Sequence, residues 1–285
     1  MLAPDLQRVE AELDLWRAAG TEPLFWLRDD DACAITKELE RLWSVARRYD
    51  VDVALAVIPG LIERDLVEYL RTDAPGFFPM CHGWKHIDHG GPREPGEFGA
   101  SRPLARARED ALRAFETFRE HFPEIPAVFV PPFGRISEAM IAALPGIGFA
   151  ALSGGQRPIE RRAARLVGRL AWAPALNLTR PQPLPRIDAH IDLIDWRAQS
   201  AEDVGAVADR LVGQLRLRRK GFVAMRSPIG LLTHHRVHDE KIWQLLETLL
   251  DFLARRRDIT FIAVASTLPS LRRAAAAADP SLAAH

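Results

Sequence analysis

The sequence predicts an α/β fold, a mostly parallel sheet covered by helices, for which a βα barrel fits best. Three observations predict it. Apolar runs of strand length alternate with segments of helical period along most of the chain. Those runs are apolar throughout rather than alternating with polar residues, the pattern of strands buried on both faces. The unusual polar segments all fall directly after such runs, at the edge where parallel barrels carry their functional residues. At 285 residues the chain is long enough for one such barrel or for two small domains.

In chain order, helical period over about 5–19 leads into an apolar run at Leu24 to Leu27. A helix over 36–49 and a strand at Val53 to Ile58 follow. Next come a helix over 61–72 and a strand at Phe77 to Met80. A helix over 103–121 has Ser101 ahead of Arg102-Pro103 as a candidate cap. A strand at Ala127 to Val130, a helix over 137–144 and a strand at Gly148 to Leu152 complete this half. The segment 156–186 is rich in Arg and Pro and lacks a clean period, so it reads as an irregular excursion from the barrel. Beyond it lie a strand at Ile187 to Ile194, a helix over 201–219 opened by Ser200 and Asp203 as a capping box, and a strand at Phe222 to Met225. A helix over 238–256 and a strand at Ile259 to Val264 come last. The expected organisation is one domain over 1–270 with a mobile Ala-rich tail over 271–285.

Composition narrows the function classes. Hydrophobic residues make up 48% of the chain, enough for a substantial core, and 38 basic residues balance 38 acidic ones. A zero formal net charge argues against nucleic-acid and membrane-surface partners, which usually meet a basic excess. The basic run Arg216, Arg218, Arg219 and Lys220, like Arg161, Arg162 and Arg165, reads as a solvated helix face. Two cysteines, Cys33 and Cys81, exclude a disulfide scaffold or a Cys-rich zinc ribbon and read as free buried thiols, with a single bridge still open. The N-terminus has no apolar leader-like stretch and no segment reaches the length of a membrane span, so a cytoplasmic location is expected.

The chemistry concentrates in a few segments. His82 and His86 stand four residues apart in a Gly-rich stretch after a strand, a spacing that lets two imidazoles converge on one ion. Asp29, Asp30 and Asp31 run off the end of the first strand, where a core would not tolerate them unpaired. Asp192 to Trp196 end a later strand, and His234 and His235 follow another. Seven of nine histidines lie in three of these places: His82, His86 and His89; His190; His234, His235 and His238. Each segment alone has an ordinary reading, such as an N-cap cluster for the aspartates or a core Trp for Trp196. Their joint occurrence at strand ends does not.

These residues resemble the motifs of the polysaccharide deacetylase superfamily, also called NodB-homology or carbohydrate esterase family four, over roughly 24–264. Asp30-Asp31-Ala32 is similar to its Asp-Asp-Gly motif, and His82-Gly83-Trp84-Lys85-His86 to its H-[ST]-x-x-H. Val130-Pro131-Pro132-Phe133 resembles R-x-P-[YF] with Val130 in place of Arg. Asp192-Leu193-Ile194-Asp195-Trp196 matches D-x-x-D-W, and Leu232-Thr233-His234 the final histidine motif. The resemblance implies a distorted (β/α) barrel of about seven parallel strands. It implies one divalent metal, zinc first and cobalt or nickel as alternatives, held by Asp31, His82 and His86. It makes Asp30 the general base and His234 the general acid, with Asp195 beside Trp196 orienting that imidazole. Trp84, Pro132, Phe133 and Trp196 become substrate contacts. Arg135 or Arg28 is left to supply the charge that Val130 lacks, Asp29 and Asp30 remain to be phased, as do His234 and His235, and His89 is unassigned.

The activity implied is metal-assisted hydrolysis of an acyl group, N-acetyl first, on a sugar-like or small amide substrate. An ion bound by two neutral imidazoles and one carboxylate stays electrophilic, acidifies water and polarises the acyl oxygen. The expected partner is a small molecule or oligosaccharide. The alternatives are a small-molecule carbon-nitrogen hydrolase on the same fold and a non-catalytic metal-binding or regulatory module.

Overall fold

The computed structural model describes residues 4–91, 94–155 and 184–267. Seven parallel strands curl into a distorted barrel in the order β5 (Ala151–Leu152), β4 (Val128–Val130), β3 (Phe77–His82), β2 (Val53–Val57), β1 (Leu24–Ala32), β9 (Ile229–Thr233) and β6 (Ala189–Asp192). The two ends of that order meet irregularly, through Leu152 N–H to Pro185 O, Ile187 N–H to Leu152 O and Ala189 N–H to Gly154 O. β10 (Thr260–Phe261) pairs parallel with the first residues of β1, and β7 (Ile194–Asp195) with β8 (Ser200–Ala201) forms a separate hairpin.

The helices are α1 (Pro4–Ala18), α2 (Lys37–Arg48), α3 (Arg64–Thr72), α4 (Leu104–His121), α5 (Glu138–Ile147), α6 (Val204–Arg219) and α7 (Glu240–Ala254). Their apolar stripes cover the outer face of the sheet in one large cluster, including Leu39, Leu66, Phe118, Leu211 and Leu249 against Phe25, Leu27, Leu55 and Ile229. A smaller cluster gathers the residues of opposite pleat, Trp26, Ala54, Ala56, Met80, Val128, Val130, Ala151 and Ala189. This is the alternation expected of strands buried on both sides.

Several local readings need correction. The strand expected at Phe222 to Met225 lies at Ile229–Thr233 instead. Gly230 weakened its sequence signal, yet a Cβ there would lie 2.7 Å from the Trp26 indole, so the close approach of β1 and β9 excludes a larger residue. Asp203, not Ser200, caps α6, and Ser200 Oγ instead donates to Asp239 at 2.6 Å. Ser101 does not cap α4, whose N-cap position is Pro103. The basic run is no solvated face, since Arg216 and Arg219 both bind the buried Glu12 and Arg218 is itself fully buried. Cys33 and Cys81 are free thiols, the former only half-buried. No helix among the described residues is long and apolar enough to cross a membrane. The Arg-rich excursion over 156–183 and the tail over 271–285 lie outside the described residues.

Candidate active site

The site is built from β1. Alternation sends Arg28 and Asp30 into the barrel, on the side of Trp26, and Asp29 outward. Arg28 is 2% exposed and spans the interior. Its Nη2 donates to Asp30 Oδ2 at 3.0 Å and its Nε stands 2.8 Å from Asp30 Oδ1, an ion pair with one hydrogen bond, while Nη1 donates to Ser153 O, Ser153 Oγ and Gly154 O just beyond β5. Arg28 is thus the cation paired with Asp30, while Val130 is buried in the apolar interior. Arg135, the other candidate, is exposed beyond β4 and pairs with no carboxylate among the described residues.

At Asp31 the alternation breaks. Its φ of 74° coincides with a register shift in the β1–β2 ladder, and the side chain turns to meet two histidines. Asp31 Oδ1 lies 3.1 Å from His82 Nε2 and 3.3 Å from His86 Nε2. Donor atoms of a tetrahedral ion bound at its usual bond lengths stand about 3.3 Å apart, so the two Asp31 contacts match that spacing, and all three donor atoms lie within 4.8 Å of one another. His82 Nδ1 faces the Val130 carbonyl at 3.2 Å, which fixes the tautomer that leaves Nε2 free as a ligand. Among the described residues these three form the one cluster of His, Cys, Asp or Glu side chains able to hold a metal. His89 is outside it, exposed, with its N–H bonded to Gly96 O.

The loop carrying His86 is held by a residue the sequence did not single out. Glu97, fully buried, accepts the N–H groups of Trp84 and Lys85 at 3.0 and 2.8 Å. Gly83 has φ 57°, and a Cβ there would collide with the Glu97 carboxylate and the Pro132 ring, so glycine replaces the Ser or Thr of the family pattern for steric reasons. Nothing in the local sequence marked Glu97. Pro132 is buried against this turn and supports the loop, so it does not face a substrate. Phe133 does face solvent, its ring 4.3 Å from that of His86. Trp84 is half-buried, with the Lys85 ammonium over its ring.

The last strand supplies the remaining imidazole. His234 Nε2 is 3.9 Å from Asp30 Oδ2, and the Trp196 ring meets its edge at 4.7 Å. Asp195 does not orient it. Its carboxylate accepts the backbone N–H groups of Arg197 and Ala198, which hold it below the usual carboxylate range. Asp192 instead accepts the Trp196 indole N–H at 2.8 Å, and that ring meets His234. The D-x-x-D-W resemblance implied Asp195 for that role, but beside the β7–β8 hairpin its carboxylate binds its own backbone. The phasing of the other like pairs follows from the pleat. Asp30 and His234 share the barrel interior, whereas Asp29 and His235 pair with each other outside it.

Electrostatics follow burial and neighbours. Burial is the largest influence on Asp31, but the hydrogen bond and charge of His82 and the charges of His234 and His86 outweigh it and hold the carboxyl well below its usual range. Burial likewise opposes charge on His82, yet Asp30 and Asp31 prevail and raise it. Burial and the charge of His82 lower His86. Asp192 is raised by burial, with His234 and Trp196 partly offsetting.

No protein-family description matches the chain, and no curated protein matches it in sequence. Solved structures match in shape. A family 4 acetyl xylan esterase from Clostridium thermocellum, in complex with a cobalt ion, is 14% identical over 88% of this chain and 92% of that one, with a TM-score of 0.52. A variant of the peptidoglycan deacetylase PdaC from Bacillus subtilis is 10% identical over 93% and 98%, with a TM-score of 0.51. The Xyl-CE4 domain of a multidomain xylanase from the hindgut metagenome of Trinervitermes trinervoides is 14% identical over 88% and 91%, with a TM-score of 0.50. The chain has the fold of these carbohydrate esterase family four enzymes, the fold that its motifs implied.

Proposed function

We propose that this protein is a metal-dependent hydrolase that removes an acyl group, N-acetyl first, from a sugar-like or small amide substrate. The observation that carries the reading is the convergence of Asp31, His82 and His86, their donor atoms within 4.8 Å of one another, beside the Asp30 and His234 pair. Two imidazoles and one carboxylate suit zinc, and cobalt or nickel accept the same donors. When bound, such an ion supplies an electrophile that polarises an acyl oxygen and acidifies water.

The chain's own groups do the proton work. Asp30, held by the Arg28 guanidinium, takes a proton from the attacking water. His234 gives one to the departing nitrogen, and its Nε2 lies 3.9 Å from the carboxylate that has just been protonated, so the two transfers occur within one small volume. Asp192 anchors the Trp196 indole, whose ring meets the edge of the His234 imidazole. The exposed rings of Phe133 and Trp196 flank the metal ligands and the acid, where they offer apolar faces to a sugar or acyl group.

Metal content and acetate release, measured for wild type, His86→Ala and Asp30→Asn on chitooligosaccharides and on small amides, test the reading. His86→Ala should lose the ion. Asp30→Asn should keep it and lose about 10²- to 10⁴-fold in turnover, the usual worth of a positioned base. Metal retained by His86→Ala, or full turnover in Asp30→Asn, sinks the proposal, and the substrate that releases acetate separates the sugar from the small amide.

A further inference from the structure

A second carboxylate and imidazole pair stands directly behind the first. Asp29 and His235 are both fully buried on the helix side of the sheet. Asp29 Oδ1 is hydrogen-bonded to His235 Nδ1, and Asp29 Oδ2 accepts the backbone N–H of His235 at 2.7 Å. The two residues are the sequence neighbours of Asp30 and His234, and the pleat places the two pairs back to back.

Stability alone does not call for a buried polar pair here, because well-packed apolar residues of similar volume are commonly neutral or better in such positions. Its placement points to another role. The parallel ladder between β1 and β9 ends at the register pair Asp29 and Thr233. Beyond it the chain leaves the strand at His234, with φ −146° and ψ 89°, and enters a 3-10 turn over His235–Val237. Residue 234 is thus bracketed by two attachments to Asp29: the backbone ladder at Thr233 before it and the side-chain grip on His235 after it. Asp29 is fixed in turn by its place one residue before Asp30. We infer that Asp29 and His235 are positioning residues that set the distance and orientation of the His234 imidazole relative to Asp30, taking over where the sheet's own hydrogen bonds stop.

This rests on the hydrolase reading for its kinetic consequence but has a readout independent of it. The test compares wild type, Asp29→Asn and the double variant Asp29→Leu/His235→Leu in melting temperature, zinc affinity, kcat, KM and the ring resonances of 15N-labelled His234. In Asp29→Asn and in the double variant, kcat should fall by about 100-fold, the scale of a displacement near 1 Å at a reacting group. KM and zinc affinity should stay within about twofold, and the His234 resonances should move. The double variant should melt close to wild type while remaining slow. A double variant that regains both melting temperature and kcat would overturn the inference and leave the pair a structural one. If the double variant does not fold, Asp29→Asn decides by the same readouts, and unchanged kcat there also overturns it. If wild type hydrolyses nothing on the substrate panel, the hydrolase reading falls separately. The positioning role is then judged on the His234 resonances, and it fails if they do not move.

Discussion

Removing the guanidinium of Arg28 is the sharpest test of how the interior is wired. Arg28 and Asp30 are 2% and 5% exposed in their side chains, and their ions meet at 2.8 Å. In Arg28→Met the carboxylate stays buried without its cation, and Ser153 and Gly154 lose the donor that served three acceptors. Breaking a buried pair from one side costs about 3–5 kcal/mol, most of it the penalty of the stranded charge. Unpaired carbonyls add roughly 1 kcal/mol each where water cannot reach them. Urea unfolding should therefore show a loss of about 4 kcal/mol or more with unchanged m-value. Arg28→Met/Asp30→Leu, which removes both charges, should recover most of that loss. Arg28→Lys should fall between, since an ammonium cannot bind Asp30 and reach Ser153 together. Arg135→Ala should change stability by less than about 0.5 kcal/mol, as an exposed and unpaired cation does. A loss below about 1 kcal/mol in Arg28→Met, or an equal loss in Arg135→Ala, would refute the assignment of Arg28 as the partner of Asp30.

Two further outcomes follow from the histidine end of the barrel. His238 is lowered to about 3, first by burial and then by the charges of His235 and His234. Because its folded value lies below its unfolded one, stability is complete above about pH 6.5 and is lost as pH falls from there toward 3, by about 1–3 kcal/mol once partial exposure of the ring is discounted. Denaturation midpoints of wild type against His238→Gln should converge as pH is lowered over that window, and parallel curves would contradict the burial argument. Asp192→Asn should lower kcat by about tenfold or more while Asp195→Ala leaves it within about twofold, read as acetate release; the reverse order would return the orienting role to Asp195.

The sequence made most of the frame legible because periodicity and strand-end polarity are local signals. Every expected helix appears among the described residues within a turn of its expected ends, and the polar segments do sit at the carboxyl edge. What failed was non-local. Phe222 to Met225 looked more strand-like than Ile229–Thr233 because the reason for Gly230 is a Trp26 ring on another strand, some two hundred residues away. The motif resemblance pointed to Asp195, and only the hairpin between β7 and β8 shows its carboxylate bound to its own turn. Glu97 carries no motif, since its role is to accept two N–H groups that become neighbours only when the His82 loop closes. Arg216 and Arg219 looked solvated because their shared acid, Glu12, comes from the opposite end of the chain.

The run Arg28-Asp29-Asp30-Asp31 shows how one strand serves four tasks. Plain alternation would send Arg28 and Asp30 inward and Asp29 and Asp31 outward, which gives a pair inside the barrel and two like charges outside it. The positive φ of Asp31 breaks that pattern after three residues. Asp29 then finds His235 on the helix side, Asp30 keeps Arg28 and His234 in the interior, and Asp31 reaches past the strand end to His82 and His86. The left-handed backbone at a residue with a Cβ is costly, on the order of 1–3 kcal/mol, and persists only where its surroundings enforce it. His86 and Phe133 share that backbone state on the facing loops, so three of the five non-glycine residues with positive φ lie around the same ligand cluster. The other two, Asp50 and Gln199, lie in turns elsewhere, so left-handed backbone gathers around the cluster without being confined to it.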